Sequence, residues 1–193
     1  DGKRIYLSNV NGSIKVFALV NDLYVAAQSF PLPRVDLKER KEEIPAGLAV
    51  AADGRPLYVA ANLSNRLLEL DAEKGTVLRA FDVGVAPYDV VLAGDKIYVS
   101  NWGGRRPDPT SVTGPAGRGT TVRVDPVRFI ANEGSVSVID LASGKPLSEL
   151  LLGLHSSAMA LSPNGRHLAV ANAGSDTVSV IDTRRDRVIE TIS

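Results

Sequence analysis

The stretch "SSAMALSPNGRHLAVANAGSDTVSVID" (residues 156–182) contains the sequence pattern that indicates the fold most clearly. It has a short apolar strand, a turn that holds Gly165, a second strand that closes on Asn172, and a third strand that ends in Asp182. The second strand, "HLAVA", is apolar at nearly every position, which is typical of a strand that is covered on both faces. The stretch therefore predicts consecutive antiparallel strands within a stack of sheets.

The same order of strands and turns recurs along the chain. The second strand of each copy ends in an Asn, which we call the closing Asn. These residues are Asn9, Asn62, Asn101 and Asn172. A repeat of about 40 to 45 residues is a signature of four-stranded propeller blades, and the spacing fits it when two copies carry insertions. We predict an all-β, WD40-like β-propeller of four-stranded antiparallel blades. A β-sandwich is the alternative, but it does not require the same order of strands and turns to repeat.

Two kinds of turn signal support the strand prediction. Asp53-Gly54 and Asn164-Gly165 favour two-residue type I′ hairpins, because both residues of each pair tolerate positive φ. The Asp that ends a third strand is followed four residues later by a Gly, which suits a left-handed residue in a tight turn whose amides the Asp can bind. These pairs are Asp71 with Gly75 and Asp140 with Gly144, and Asp186 takes the Gly position in the last copy.

Two long stretches carry a family resemblance. "PAGLAVAADGRPLYVAANLSNRLLELD" (45–71) and "SSAMALSPNGRHLAVANAGSDTVSVIDTRRDRVIETI" (156–192) resemble the YVTN repeats of surface-layer-type bacterial β-propellers. "VGVAPYDVVLAGDKIYVSNWGGRRP" (83–107) with "EGSVSVIDLASGKPL" (133–147) is similar to the propeller that precedes an alkaline-phosphatase-like phosphoesterase domain in some bacterial proteins. The resemblance implies the fold outside the insertions and an extracytoplasmic location, in the periplasm or at the cell surface. It implies little about activity, because the repeat occurs in proteins with many roles.

The repeat divides the chain into about four blades of one partial propeller over residues 1–193. The blade boundaries are approximately 1–44, 45–84, 85–153 and 154–193. The first unit lacks an inner strand, because Asp1-Gly2 is already its turn. Since propellers have four to eight blades, we expect part of a seven- or eight-bladed ring, with open blade edges that favour self-association. The start at Asp1 without a signal-like segment favours a processed form or a piece of a longer protein.

Composition narrows the classes of partner. Lys plus Arg (22) equals Asp plus Glu (22), so no global charge attracts nucleic acid or anionic lipid. The absence of Cys excludes disulfides, thiolate catalysis and zinc-thiolate sites. No apolar run approaches the roughly 20 residues that span a bilayer. We predict no nucleic-acid partner and no transmembrane segment.

The candidate binding site is an insertion, residues 103–132, between the second and third strands of the third blade. It carries five arginines against two aspartates, a local balance of +3. It emerges on the face where loops join one blade to the next, and such faces commonly bind partners. The predicted binding residues are Tyr88, Trp102, Arg105, Arg106, Arg118, Arg123 and His155.

Two interpretations of the insertion are open. In the first, Arg105 and Arg106 bind an anionic small molecule, or the loop packs on another protein or a neighbouring domain. In the second, the arginines pair with nearby carboxylates or face water. Trp102 is either an anchor against the next blade or a stacking platform. The other insertion, residues 34–44, is predicted to be a solvated connection, and the closing Asn residues are predicted to bond their own turn backbone.

Little in the chain indicates catalysis. Two His residues cannot supply an alkaline-phosphatase-type metal centre, and no nucleophile elbow, Walker loop or dinucleotide motif occurs. We predict no catalytic residue, no metal and no cofactor. The leading hypothesis is a non-catalytic propeller for binding and positioning in a larger protein, which on the resemblance carries a phosphoesterase domain. A lactonase-type catalytic propeller and a cell-surface structural module are the alternatives.

Overall fold

The computed structural model describes residues 2–38, 40–117 and 119–193, and these residues form seventeen β-strands and no α-helix. Among them, no helix has the length and hydropathy to cross a membrane. The strands make three four-stranded antiparallel sheets, one three-stranded sheet and a small hairpin.

The order of strands within each sheet follows the chain. The first sheet contains β1 (Arg4–Asn9), β2 (Ser13–Val20) and β3 (Leu23–Pro31). The second contains β4 (Pro45–Val50), β5 (Pro56–Ala61), β6 (Arg66–Asp71) and β7 (Val77–Asp82). The third contains β8 (Pro87–Ala93), β9 (Lys96–Asn101), β12 (Gly134–Asp140) and β13 (Pro146–Leu152), and the hairpin of β10 (Thr113–Pro115) and β11 (Thr121–Arg123) lies in the insertion. The fourth contains β14 (Ser156–Leu161), β15 (His167–Asn172), β16 (Thr177–Asp182) and β17 (Arg187–Ile192).

The sheets stack in chain order, with the first strands of successive sheets side by side. β4 lies next to β1 and β8, and β8 lies next to β14. An apolar core fills each space between sheets, around Ile14 and Leu57, then Leu67 and Ile97, then Tyr98 and Leu168. Because the middle sheets are covered on both faces, their strands are apolar at consecutive positions. The predicted four-stranded antiparallel blades are confirmed, and the first sheet lacks an inner strand as predicted.

The predicted type I′ turns are wrong. At Asp53-Gly54 and Asn164-Gly165 only the glycines have positive φ, 73° and 69°. The Asp and Asn side chains instead accept hydrogen bonds from the backbone N–H two residues on, at 3.1 and 3.0 Å, which stabilises a longer loop. Two successive positive φ values occur instead at Asn21-Asp22 (48° and 61°), in the turn that joins β2 to β3.

The predicted equivalence of Asn62 with the other closing Asn residues is also wrong, by one position. The strand register pairs Pro87 with Asn101 and Ser156 with Asn172, but it pairs Pro45 with Ala61. Asn62 lies beyond the end of β5, and its amide donates to the carbonyl of Pro87 (3.1 Å). An apolar residue therefore takes the closing position in the second sheet.

The connection at residues 34–44 is solvated only in part. Glu43 is 2% exposed, and its carboxylate accepts hydrogen bonds from the backbone N–H groups of Leu63 (2.7 Å) and Ser64 (3.0 Å). Those groups lie in the loop between β5 and β6. The prediction missed this role because the carboxylate satisfies backbone donors that are distant in sequence.

Candidate functional site

Tyr88 is the first of the predicted site residues, and it lies among the inner strands β4, β8 and β14. Tyr88 lies on β8 and is exposed to a cavity of about 390 Å³, which Ser8, Ala46, Gly47 and Asp89 also line. Gly47 of β4 approaches the Asp89 backbone so closely that a Cβ there would lie 2.5 Å from the Asp89 Cα. The small residue therefore lets the inner strands come together.

Asp89 is the one acidic residue on the inner strands β4, β8 and β14. Its Oδ1 accepts a hydrogen bond from the N–H of Val90, and its Oδ2 accepts one from the N–H of Met159 on β14 (both 2.8 Å). The carboxylate therefore ties the third sheet to the fourth. Among the described residues no three His, Asp or Glu side chains are grouped as metal ligands.

Trp102 and His155 form a stacked pair at the root of the insertion. Their ring centroids are 3.7 Å apart and their planes differ by 3°. His155 precedes β14 in a left-handed conformation (φ 57°), as Ala86 precedes β8 (φ 54°). Burial lowers the pKa of His155 below its ordinary value, which favours the neutral ring. Trp102 thus anchors the insertion against the loop that begins the fourth sheet.

Arg105 is held by a buried carboxylate. Its Nη2 donates to Glu133 Oε2 (2.8 Å), its Nε donates to both carboxylate oxygens (3.3 and 3.2 Å), and its backbone N–H donates to Oε1 (3.1 Å). Glu133 is 9% exposed. These hydrogen bonds raise the pKa of Arg105. The pair joins the start of the insertion to its end, because Glu133 directly precedes β12.

Arg106 and Arg123 complete the same set of contacts. Arg106 donates to the carbonyl of Val83 (2.7 Å) and pairs with Asp82 (3.1 Å), which lies on the second sheet. Arg123 pairs with Asp108 (2.7 Å) and lies 3.5 Å from Glu133. Hydrogen bonds from Thr110 and Arg123 hold the pKa of Asp108 well below its usual range. We call Arg105, Arg106 and Arg123 with Asp82, Asp108 and Glu133 the arginine base.

The structure thus separates the predicted site residues into three places. Arg105, Arg106 and Arg123 come together in the arginine base, Trp102 pairs with His155, and Tyr88 faces the inner cavity. Arg118 lies outside the described residues. Beside the arginine base, a cavity of about 320 Å³ is lined by Asp82, Val83, Gly84, Arg105, Arg106 and Glu149.

A polar cluster that the sequence did not indicate lies beneath this cavity. The Asn101 amide donates to Ser135 (3.1 Å), Ser137 (2.9 Å) and Glu149 (3.1 Å), and the Ser137 hydroxyl donates to Glu149 (2.6 Å). Desolvation, with the charge of Glu133, raises the pKa of Glu149. Asn172 makes the equivalent bonds to hydroxyls in the fourth sheet. The closing Asn residues of these two sheets therefore bond the neighbouring strand, rather than the turn backbone that was predicted.

Comparison with known proteins identifies the fold. No protein-family model and no curated protein matches the chain. Hydrazine synthase of Kuenenia stuttgartiensis is similar in structure over all of this chain and 46% of its own length, with a TM-score of 0.71 and 18% identity. The Cps50 (Swd1) β-propeller domain of Myceliophteria thermophila is similar over 98% of this chain and 51% of its own length (TM-score 0.61, 13% identity). The chain has the β-propeller fold.

A third similar structure is a Bacteroides uniformis protein named as a 6-phosphogluconolactonase. It matches 99% of this chain and 67% of its own length, with a TM-score of 0.52 and 15% identity. This chain therefore spans about half the length of the first two structures and two thirds of the third. At such identities the similarity establishes the propeller and not an activity.

Proposed function

We propose that this chain is a non-catalytic binding and positioning module, a partial β-propeller that presents its insertion to a partner. The observation that carries the proposal is the arginine base. Three arginines, each joined to a carboxylate at 3.1 Å or less, fasten a loop of about thirty residues across the ends of the second and third sheets. Ordered loops on rigid scaffolds are where propellers carry recognition.

The type of partner follows from the same pairs. An anionic small molecule would have to compete with Glu133, Asp82 and Asp108 for the guanidinium groups of the arginine base. A protein or a neighbouring domain does not have to separate these charges. We therefore propose a protein partner, with self-association through open sheet edges as a further property of the module.

We also propose that the chain is part of a larger, extracytoplasmic protein. The chain spans about half of two similar structures, which supports additional blades up to a ring of seven or eight. The resemblance to YVTN-repeat propellers supports a periplasmic or cell-surface location and a phosphoesterase domain elsewhere in the protein. Within this segment, Asp89 binds backbone amides, which supports a non-catalytic role.

An assay for turnover tests the non-catalytic assignment. The purified chain is incubated with six-membered sugar lactones and with p-nitrophenyl phosphate, with and without added divalent metal, beside an Asp89→Asn variant. We expect both proteins to leave the substrates at the uncatalysed rate. Turnover by the wild-type chain would overturn the proposal, and its loss in Asp89→Asn would assign the activity to this inner-strand carboxylate.

A further inference from the structure

The insertion contains a turn with the same backbone as the turns between the two outer strands of the sheets. In residues 125–130, the Asp125 carboxylate accepts from the N–H groups of Val127 (2.9 Å) and Arg128 (2.7 Å). The Phe129 N–H donates to the Asp125 carbonyl (2.8 Å), and the Asp125 N–H donates to the Ile130 carbonyl (2.9 Å). Asp71 makes the same four kinds of bond to the turn that precedes β7, all at 2.8 or 2.9 Å.

The fifth residue of this turn is left-handed in every copy. Its φ is 71° at Gly75, 73° at Gly144, 48° at Asp186 and 56° at Phe129. Gly has no Cβ penalty in this region and Asp tolerates it, whereas a bulky aromatic residue there is an outlier. The insertion therefore places a Phe at the position where the sheet turns have Gly or Asp.

The surroundings of the turn show that Phe129 does not serve packing within the chain. Val127, Phe129 and Ile130 are 83%, 67% and 53% exposed. In the sheets, by contrast, Gly75 and Gly144 lie directly against Phe30 and Phe81 of the preceding sheet. We call the turn at 125–130 with these three exposed side chains the apolar tip.

The apolar tip is fixed rather than loosely attached. A bridge between Val124 and Ala131 closes the turn, and Val124 is 4% exposed in a small core with Val85 and Val122. The tip is thus a preformed, convex group of apolar side chains, and preformed contacts lose little conformational freedom on binding.

We propose that the apolar tip docks Phe129 into an apolar pocket on a different protein, with an acidic group at the rim of the pocket facing Arg128. This inference rests on the proposed binding function and names its contact surface. Arg105, Arg106 and Arg123 pair within the arginine base, whereas Arg128 makes no salt bridge with any carboxylate that the structure describes. Aromatic residues and Arg are the side chains that dominate protein interfaces.

The charge of the apolar tip favours a protein over a membrane. Asp125 and Arg128 balance, and hydrogen bonds from the backbone of Arg128 and Val127 lower the pKa of Asp125, so that it remains charged. Binding to anionic membranes relies on several basic residues around the apolar ones. The convex tip is instead matched by a concave apolar surface with one carboxylate for Arg128, because the Asp125 carboxylate already accepts hydrogen bonds from the backbone of its own turn.

Photo-crosslinking followed by measured binding tests the inference. A benzophenone amino acid replaces Phe129 in the chain, produced in its organism of origin, and a control carries it at Val112, which is 43% exposed in the same insertion. The protein that crosslinks at 129 and not at 112 is identified and purified. Its Kd is then measured by calorimetry with wild type, Phe129→Gly, Arg128→Glu and the control Leu147→Ser, whose side chain is exposed on β13.

We expect Phe129→Gly to weaken binding about 30-fold or more, as interface anchors do. Arg128→Glu weakens it about 5-fold and loses its effect at high salt, because a rim charge is screened. Leu147→Ser stays within about twofold of wild type, since surface substitutions away from a contact change little. The melting temperature of Phe129→Gly is no lower than that of wild type, so that loss of binding is not loss of fold.

Three results would overturn the inference. These are crosslinks at 129 to lipid, crosslinks to a second copy of this chain, and a purified partner whose Kd is unchanged by Phe129→Gly. None of them bears on catalysis, so each would leave the non-catalytic assignment standing, although crosslinks to lipid would also remove the proposed protein partner of the insertion. Turnover in the lactone and phosphate assay would instead remove that module while leaving the crosslinking result valid.

Discussion

The arginine base and the apolar tip belong to one insertion, but they relate to the rest of the molecule in opposite ways. In the base, Arg105, Arg106 and Arg123 are joined to Glu133 just before β12, to Asp82 on the second sheet and to Asp108 in the insertion itself. In the tip, Val127 and Phe129 face solvent on a turn whose backbone N–H groups donate to the Asp125 carboxylate. The charged residues of the insertion therefore stabilise the fold of the loop, whereas its apolar residues are left for the contact that we propose.

Loss of the Glu133 carboxylate from the arginine base should destabilise the protein more than the other substitutions considered below. Glu133→Gln leaves Arg105 and Arg123 without their shared, 9% exposed carboxylate. Glu133 is nearly buried but the Arg105 side chain is 42% exposed, so water screens part of the effect, and we expect a loss of between about 2 and 3 kcal/mol in the free energy of unfolding. Urea denaturation measures it. The control Glu42→Gln, in an exposed pair with Arg34, should cost less than about 1 kcal/mol. Equal losses in the two variants would mean that the base does not fasten the insertion.

The turn before β13 has the same backbone conformation as the apolar tip. We expect substitution of its left-handed residue, Gly144, to destabilise the protein more than substitution of Phe129 does. Gly144→Ala puts a Cβ 2.2 Å from the Phe81 ring at a φ of 73°. We expect it to destabilise the protein by about 2 kcal/mol, from overpacking and left-handed strain together. Thermal melts compare it with Phe129→Ala, which has space and should stay within about 0.5 kcal/mol of wild type. A fully stable Gly144→Ala would remove the contrast between the two turns.

The smallest effect concerns the Trp102–His155 pair at the root of the insertion. Because burial lowers the pKa of His155, the unfolded chain binds a proton at a pH where the folded chain does not. The stability that this group contributes is complete above about pH 6.5, the ordinary value, and is lost as pH falls through the lowered pKa. Trp102 is the one Trp of the chain, so its fluorescence should change with a midpoint below about pH 6.5.

His155→Gln is the control for that titration, and it should abolish the fluorescence change between pH 7 and 5. A change that persists in His155→Gln would assign the titration to another group. A midpoint above the ordinary pKa would mean that the ring is stabilised in its charged form, which the burial of the stacked pair does not predict.

Most of the fold could be predicted from the sequence because repeated local signals determine it. Strands β8 and β12 begin and end at the residues that the sequence predicts. The turns that pair Asp71 with Gly75 and Asp140 with Gly144 have the expected positive φ at the Gly and the expected hydrogen bonds from backbone amides to the Asp. The register error at Asn62 has a local cause, since Ala61 and Asn62 are adjacent and only pairing with Pro45 distinguishes them.

The candidate site was less predictable, because it depends on contacts across the chain. From sequence alone, arginines in a long loop predict a binding site whether or not carboxylates lie close enough to pair with them. Asp82, which pairs with Arg106, lies on another sheet, and the sequence did not indicate that the two side chains meet. Glu133 and Glu149 carried no signal of their own. The apolar tip did have a sequence signal, because Asp125 and Phe129 have the same spacing as Asp71 and Gly75. The turn was not recognised because Phe occupies the position where the sheet turns have Gly.

Urea denaturation of Phe129→Gly beside wild type tests the division of the insertion. The free energy of unfolding shows whether Phe129 stabilises the fold or is available for contact with a partner. If Phe129 serves contact, the variant relieves a left-handed aromatic residue and is as stable as wild type or more stable by up to about 1 kcal/mol. A loss of more than about 1 kcal/mol would show that Phe129 supports the fold, and would contradict the division of the insertion into a structural base and a contact tip.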